Sequence, residues 1–182
     1  MKKLLCAILA LTMLLSLAAC AANNNGGAST ETTLPANLEG TVEELLNRIV
    51  EKQPVEFAGE TTAIDLTDTS EEGTWRFEST TGLSDPSQLK EAAAFEPLMG
   101  SLAFSMVMVR VADAVEPQEI AQAMKEGINP RKWVCVEADD MKVAGCGDVV
   151  MLIMLASDTG MTAQSFVDAF QSVAGRELDF VI

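Results

Sequence analysis

An α+β fold is what the sequence predicts, and three observations carry the prediction. Leu102–Val111 and Val149–Leu155 are apolar on both alternating faces, as strands in the middle of a sheet require. Helical spacing of apolar residues follows each of them, over 117–127 and 162–174. Shorter segments of strand character, Trp133–Ala138 and Leu178–Ile182, come after each helix. The resulting order of strand, helix, strand, strand, helix, strand is the split βαβ or ferredoxin-like arrangement of an antiparallel sheet. That topology puts its first and third strands in the middle, and those are the two that are apolar on both faces. The rival is another α+β sheet in which an early strand near Trp75 is intercalated.

From the start of the chain, Lys2 and Lys3 precede an apolar run, Leu4–Ala19, too short to span a bilayer comfortably and built like a secretory signal peptide over residues 1–19. The run closes as Leu17-Ala18-Ala19-Cys20, which resembles the lipobox of bacterial lipoproteins. The resemblance implies that Cys20 carries the lipid and becomes the mature N-terminus. It implies a protein anchored to the cell membrane on its extracytoplasmic face. Two or more acyl chains anchor stably, because each buried methylene contributes about 0.8 kcal/mol. Residues 20–37 follow as the lipidated Cys and a small, polar linker, spanning on the order of 20–25 Å if flexible.

Residues 38–182 are expected to form a single domain. Thr41 with Glu44 three residues later makes a capping box, and Val42, Leu45, Leu46, Ile49 and Val50 share one stripe of the helix it opens. Pro54 ends that helix. Residues 55–100 carry weak periodicity and read as an irregular segment with one strand around Trp75–Ser79. Leu102–Val111 is the first central strand. Pro117 suits the first turn of a helix, Ile120, Ala123 and Met124 mark its apolar side, and Gly127 its end. Trp133–Ala138 then reads as a strand, Asp139-Asp140 as a turn, and Met141–Cys146 leads to the second central strand. Ala163, Phe166, Val167, Phe170 and Val173 line the last helix, which Gly175 stops. In a two-layer sheet both crossover helices would lie on one face. The other face would then be an apolar patch larger than soluble monomers usually expose. The N-terminal helix and the irregular segment are therefore expected to cover it, the competing cover being a second copy or another partner.

Composition narrows the function. A formal net charge of −15, from 12 basic and 27 acidic residues, opposes binding to a phosphate backbone, so no nucleic-acid partner is expected. The chain has no His, which removes imidazole bases, Ser-His and Cys-His nucleophiles and His-containing zinc sites. No catalytic motif is recognisable, no cofactor is expected, and no metal ligand is assigned. Cys135 and Cys146 form a candidate disulfide, since a loop over 139–142 would set them opposite each other and an oxidising location permits the bond. A two-residue loop at 139 and 140 instead leaves them on a diagonal, as two small hydrophobes. Met99, Met106, Met108, Met124, Met141, Met151, Met154 and Met161 offer soft sulfur to Cu(I), but all lie in apolar runs and read first as core filler. Asp65, Asp68, Glu71 and Glu72 could hold Ca²⁺, though their spacing is not that of an EF-hand loop.

Three further segments, 96–100 (EPLMG), 129–140 (NPRKWVCVEADD) and 147–155 (GDVVMLIML), resemble small lipoproteins of Gram-positive, Clostridia-type bacteria that carry no assigned activity. The expectation is a lipid-anchored, non-catalytic binding or interaction module of the cell envelope, held at the membrane by Cys20 and meeting an envelope protein or small ligand. The alternative is an envelope metal-handling protein.

Overall fold

The computed structural model describes residues 37–182. The signal peptide expected at 1–19, the lipobox with Cys20, and all but the last linker residue lie outside the described residues. The described chain is α+β, with four α-helices and one six-stranded antiparallel sheet. No helix among the described residues is long and apolar enough to cross a membrane.

Helix α1 (Val42–Lys52) forms where the capping box predicts it, with Thr41 Oγ1 accepting from the Glu44 amide at 3.2 Å and Glu44 Oε2 accepting from the Thr41 amide at 3.0 Å. Its stripe of Val42, Leu45, Leu46 and Ile49 is buried, so the helix belongs to the domain. The segment after it is not irregular. It contains β1 (Gly59–Ala63), α2 (Glu71–Thr81) and β2 (Leu89–Pro97). Trp75–Ser79, expected as a strand, is the body of α2, which Ser70 caps and Gly82 ends in the left-handed conformation. Only Gly73, Phe77, Thr80 and Thr81 of that helix face inward, a stripe too small and too polar to stand out in sequence.

Strand β3 (Phe104–Val111) is buried at every residue, as is β5 (Val149–Leu155). Helix α3 (Pro117–Gly127), β4 (Asp140–Cys146), α4 (Ala163–Ala174) and β6 (Phe180–Val181) complete the domain. The strand order is β1-β2-β3-β5-β4-β6. The two central strands and the split βαβ connection are thus as the sequence predicts, with β5 lying between β3 and β4, whereas the hairpin lies further along the chain, formed by β4 and β5, and Asp139-Asp140 is not its turn. Two further details differ. Trp133–Ala138 is not a strand, and β6 pairs with β4 rather than with β3, whose free side is taken by β2.

That placement of β6 decides the layers. Both crossovers, β3-α3-β4 and β5-α4-β6, step two strands in the same direction, yet β3 and β5 are antiparallel. Crossovers of one hand then carry their helices to opposite faces. Accordingly α4 packs with α1 against Phe104, Met106, Met108, Met151 and Ile153, and α3 packs with α2 against Val107, Val109, Val150 and Leu152. The expectation of both crossover helices on one face is corrected. Each face instead receives one crossover helix and one helix from the N-terminal half, and the sheet is the middle of three layers.

Two contacts fix the ends of this arrangement. The α2 and α3 C-termini meet at Gly82 and Gly127, where a Cβ on Gly127 would lie 2.0 Å from the Gly82 carbonyl oxygen. At the far end of β3, the buried Arg110 donates to both carboxylate oxygens of Asp148 at 2.8 Å and to the carbonyls of Leu38 and Gly40. Its Nε lies 3.5 Å from Glu91, whose other oxygen accepts from the Val42 amide. One guanidinium therefore ties the start of the domain and the N-terminus of α1 to the sheet.

Candidate functional site

A groove of about 430 Å³ opens on the α2/α3 face, bounded by β1 and β2, by α2, and by the loop before β4. It gathers Trp75 from α2 and Trp133 from the loop, the two tryptophans of the chain. Glu60 and Thr62 of β1 line its edge, with Arg76 and Ser79 of α2 and Leu98 after β2. Trp75 is 68% exposed and Leu98 65%. Both are large apolar groups that folding has not removed from water.

The loop that brings Trp133 here is the segment expected as a strand. Asn129 starts it with a turn, accepting from the Arg131 amide on its side chain and from the Lys132 amide on its carbonyl. The Ala138 amide donates back to the Pro130 carbonyl, and Cys135 sits at φ 65°, a conformation no strand contains. The decisive hold is ionic. Lys132 Nζ donates to Glu96 Oε1 at 2.6 Å and to Ser105 Oγ at 3.0 Å, and Ser105 Oγ donates to the same carboxylate at 2.7 Å. A polar group buried in the sheet is stable only with such partners, and these three satisfy one another. The ammonium also lies 5.4 Å from the centre of the Trp133 ring.

Ser, Lys and Glu side by side are the components of a serine nucleophile with a lysine base. Here they do not form one. Ser105 is fully buried, out of reach of a substrate, its proton is directed at Glu96, and the ammonium is already balanced by that carboxylate. The cluster pins the loop and sets the angle of Trp133. The groove presents one exposed indole, a second, half-buried indole, and a rim of separate charged and hydroxyl groups.

A second, wider cleft of about 920 Å³ lies at the opposite end of β3, against the loop from Val111 to Glu119. Three of its five carboxylates are engaged: Asp148 holds Arg110, Asp113 pairs with Lys90, and Asp179 accepts from Arg176 and from the Gly147 amide, while Glu116 and Glu119 stand exposed. The Arg176 guanidinium holds the Asp179 carboxyl below the usual carboxylate range.

None of the residues singled out from sequence lines the groove, though Met99 follows Leu98 and Cys135 shares the loop of Trp133. The hairpin turn is Gly147-Asp148, with Cys146 facing Val149, not a loop over 139–142. Cys135 is consequently an exposed loop residue and Cys146 a buried one, both as free thiols. Burial pushes the Cys146 thiol up, so it is protonated at neutral pH. Met106, Met108, Met124, Met151 and Met154 are fully buried in the core on the two faces of the sheet. In the acidic loop, the hydroxyl and then the amide of Thr67 hold the Asp65 carboxyl below the usual range, those of Ser70 do the same for Asp68, and Glu72 pairs with Arg76. Among the described residues no group of three His, Cys, Asp or Glu side chains converges as a metal site would. The groove itself went unread. The available signal was two tryptophans in polar surroundings, in a chain without tyrosine.

Comparison of the chain with protein-family models, curated proteins and solved structures finds no match.

Proposed function

We propose that the protein is a lipid-anchored, non-catalytic binding module on the extracytoplasmic face of the cell membrane, with Cys20 as the anchor and the Trp75–Trp133 groove as its ligand-binding surface. The observation that carries this reading is a clustering of exposed apolar groups. Five large hydrophobic side chains stand exposed among the described residues, and four of them, Trp75, Leu98, Met99 and Val134, line the groove or directly follow a residue that does. A concentration of that kind on an otherwise acidic surface marks a place meant to be covered. Leu38, where the linker ends, is held by Arg110 at the other end of β3, so the groove lies about 17 Å along that strand from the anchored end. No observation favours metal handling, since five of the eight candidate thioethers are fully buried core and Asp65 and Asp68 already accept hydrogen bonds.

Because both tryptophans line the groove and the chain has no tyrosine, its intrinsic emission reports on this site alone. Titrating the full chain with fractionated envelope components should give a saturable shift of that emission, lost in Trp75→Ala. Failure of every fraction to move it contradicts the reading. The anchor is tested separately: Cys20→Ser should abolish incorporation of labelled fatty acid.

A further inference from the structure

We propose that the groove's ligand is an extended peptide that adds to the open edge of β1 as a seventh strand, with alternating apolar and basic side chains; this rests on the reading of the groove as the binding surface. The backbone carries the argument. Residues 58 and 64 mark the ladder's hydrogen-bonded positions, because Leu98 donates to the Ala58 carbonyl at 2.9 Å and Ile64 to the Ala92 carbonyl at 2.8 Å. In an antiparallel pair these positions alternate. Glu60 and Thr62 therefore bond to β2, while the N–H and C=O groups of Gly59, Thr61 and Ala63 point away from it. Pro97 fits this phase. It stands opposite Gly59, at a position that needs no donor toward β1. None of the three outward pairs meets a partner among the described residues.

Sheets usually guard such an edge by brevity, Pro, Lys or a bulge. The opposite edge, β6, is two residues long. β1 is five residues long, pairs in unbroken register, and contains neither Pro nor Lys. Only another extended chain satisfies a row of alternating donors and acceptors, and strand addition is a common way of recognising one.

The side chains specify the rest. Glu60 and Thr62 face the groove, whereas Thr61 faces α1, where its hydroxyl donates to Asn47 Oδ1 at 2.6 Å. A strand beside β1 would send every second side chain over the groove toward Trp75, which suits apolar groups at those positions. Of the exposed charges around the edge, Glu56, Glu60, Asp65, Glu71 and Glu72 are acidic and outnumber Arg76, which pairs with Glu72, and this excess suits basic groups elsewhere in the peptide.

The test begins with selection of random dodecapeptides on the full chain. Enriched sequences should alternate apolar with polar residues and carry Lys or Arg, and a synthetic consensus peptide should shift the tryptophan emission. Methylating alternate backbone nitrogens of that peptide keeps its side chains and charge but removes the donors that face β1, and should weaken binding at least tenfold. Ala63→Pro removes one outward donor without touching the β1–β2 ladder or the Thr61–Asn47 hydrogen bond, and should weaken it comparably at an unchanged melting temperature. Amide exchange at Thr61 and Ala63 should slow in the complex. Equal binding of the methylated peptide, enrichment of Pro-rich or helical sequences, or no enrichment at all overturns strand addition. If emission still answers to an envelope fraction such as a soluble glycan, the groove remains the binding surface and its ligand is that molecule. If nothing moves the emission, both readings fail.

Discussion

On the face covered by α1 and α4, Phe57, Phe95 and Phe166 surround Phe104, with ring centres 5.1–6.0 Å from it and edge-to-face tilts of 62–89°. On the other face, a comparable depth at the same end of β3 is occupied by Ser105, with Lys132 and Glu96 bound to it. The first arrangement buries its rings, with only Phe57 partly in contact with water. The second satisfies its polar groups but leaves an indole and an unpaired strand edge beside them. One sheet thus devotes one face to stability and keeps part of the other unfinished, a division expected where a binding surface must be rigid and still exposed.

The comparison is broken most severely at the ring cluster. Phe104→Ala should cost roughly 3–5 kcal/mol in denaturant unfolding and lower the melting temperature by about 10 °C. A loss of less than about 1 kcal/mol would mean this face is not the keystone. Next comes Arg110→Ala, which leaves Asp148 and Glu91 without their cation and frees the segment before α1. Breaking a buried pair from one side costs about 3 kcal/mol. Amide exchange at Val42 should speed up in that variant, and slow exchange would show that the guanidinium is not what holds the helix.

A smaller effect separates the two ends by pH. The carboxyl of Asp179 has its pKa depressed by Arg176 and, after it, by the Gly147 amide. A depressed carboxylate contributes stability above its unfolded pKa and loses it as pH falls through the folded one. Stability should therefore decline below about pH 4, and Asp179→Asn should flatten that decline by no more than about 1 kcal/mol, as the pair is partly exposed. An identical acid profile in the variant would remove Asp179 from the account. The smallest expected effect on stability is the most informative: Trp75→Ala should change it by less than about 0.5 kcal/mol, because the indole is mostly in water. A large loss would make Trp75 a structural residue.

The sequence was most legible where one period dominated. The capping box of Thr41 and Glu44, the stripes of α3 and α4, and the doubly apolar β3 and β5 all announced themselves. β2 did not, because Ala92, Ala93 and Ala94 carry little strand propensity, although their small size lets helices sit close on both sides. Trp133–Ala138 misled for the opposite reason. Its apolar and β-branched residues suit a strand, but Lys132 pairs with the half-buried carboxylate of Glu96 and holds the segment in a loop, a tertiary contact that local pattern does not contain. That contact also creates the groove. The candidate site was unreadable because it depends on the pairing of Lys132 with Glu96 across 36 positions, whereas the features that were readable, the thiols and thioethers, turned out to be core or loop.

The central claim is that one face of the sheet is finished and the other waits for a ligand. It is tested most directly by placing a photo-crosslinking side chain in turn at Leu98, on the groove, and at Gln171, exposed on α4 across the sheet, and irradiating intact cells. The account predicts a discrete adduct from position 98, abolished when Trp75→Ala is added, and none from position 171. Equal labelling from both positions, or an adduct from 171 alone, would contradict it.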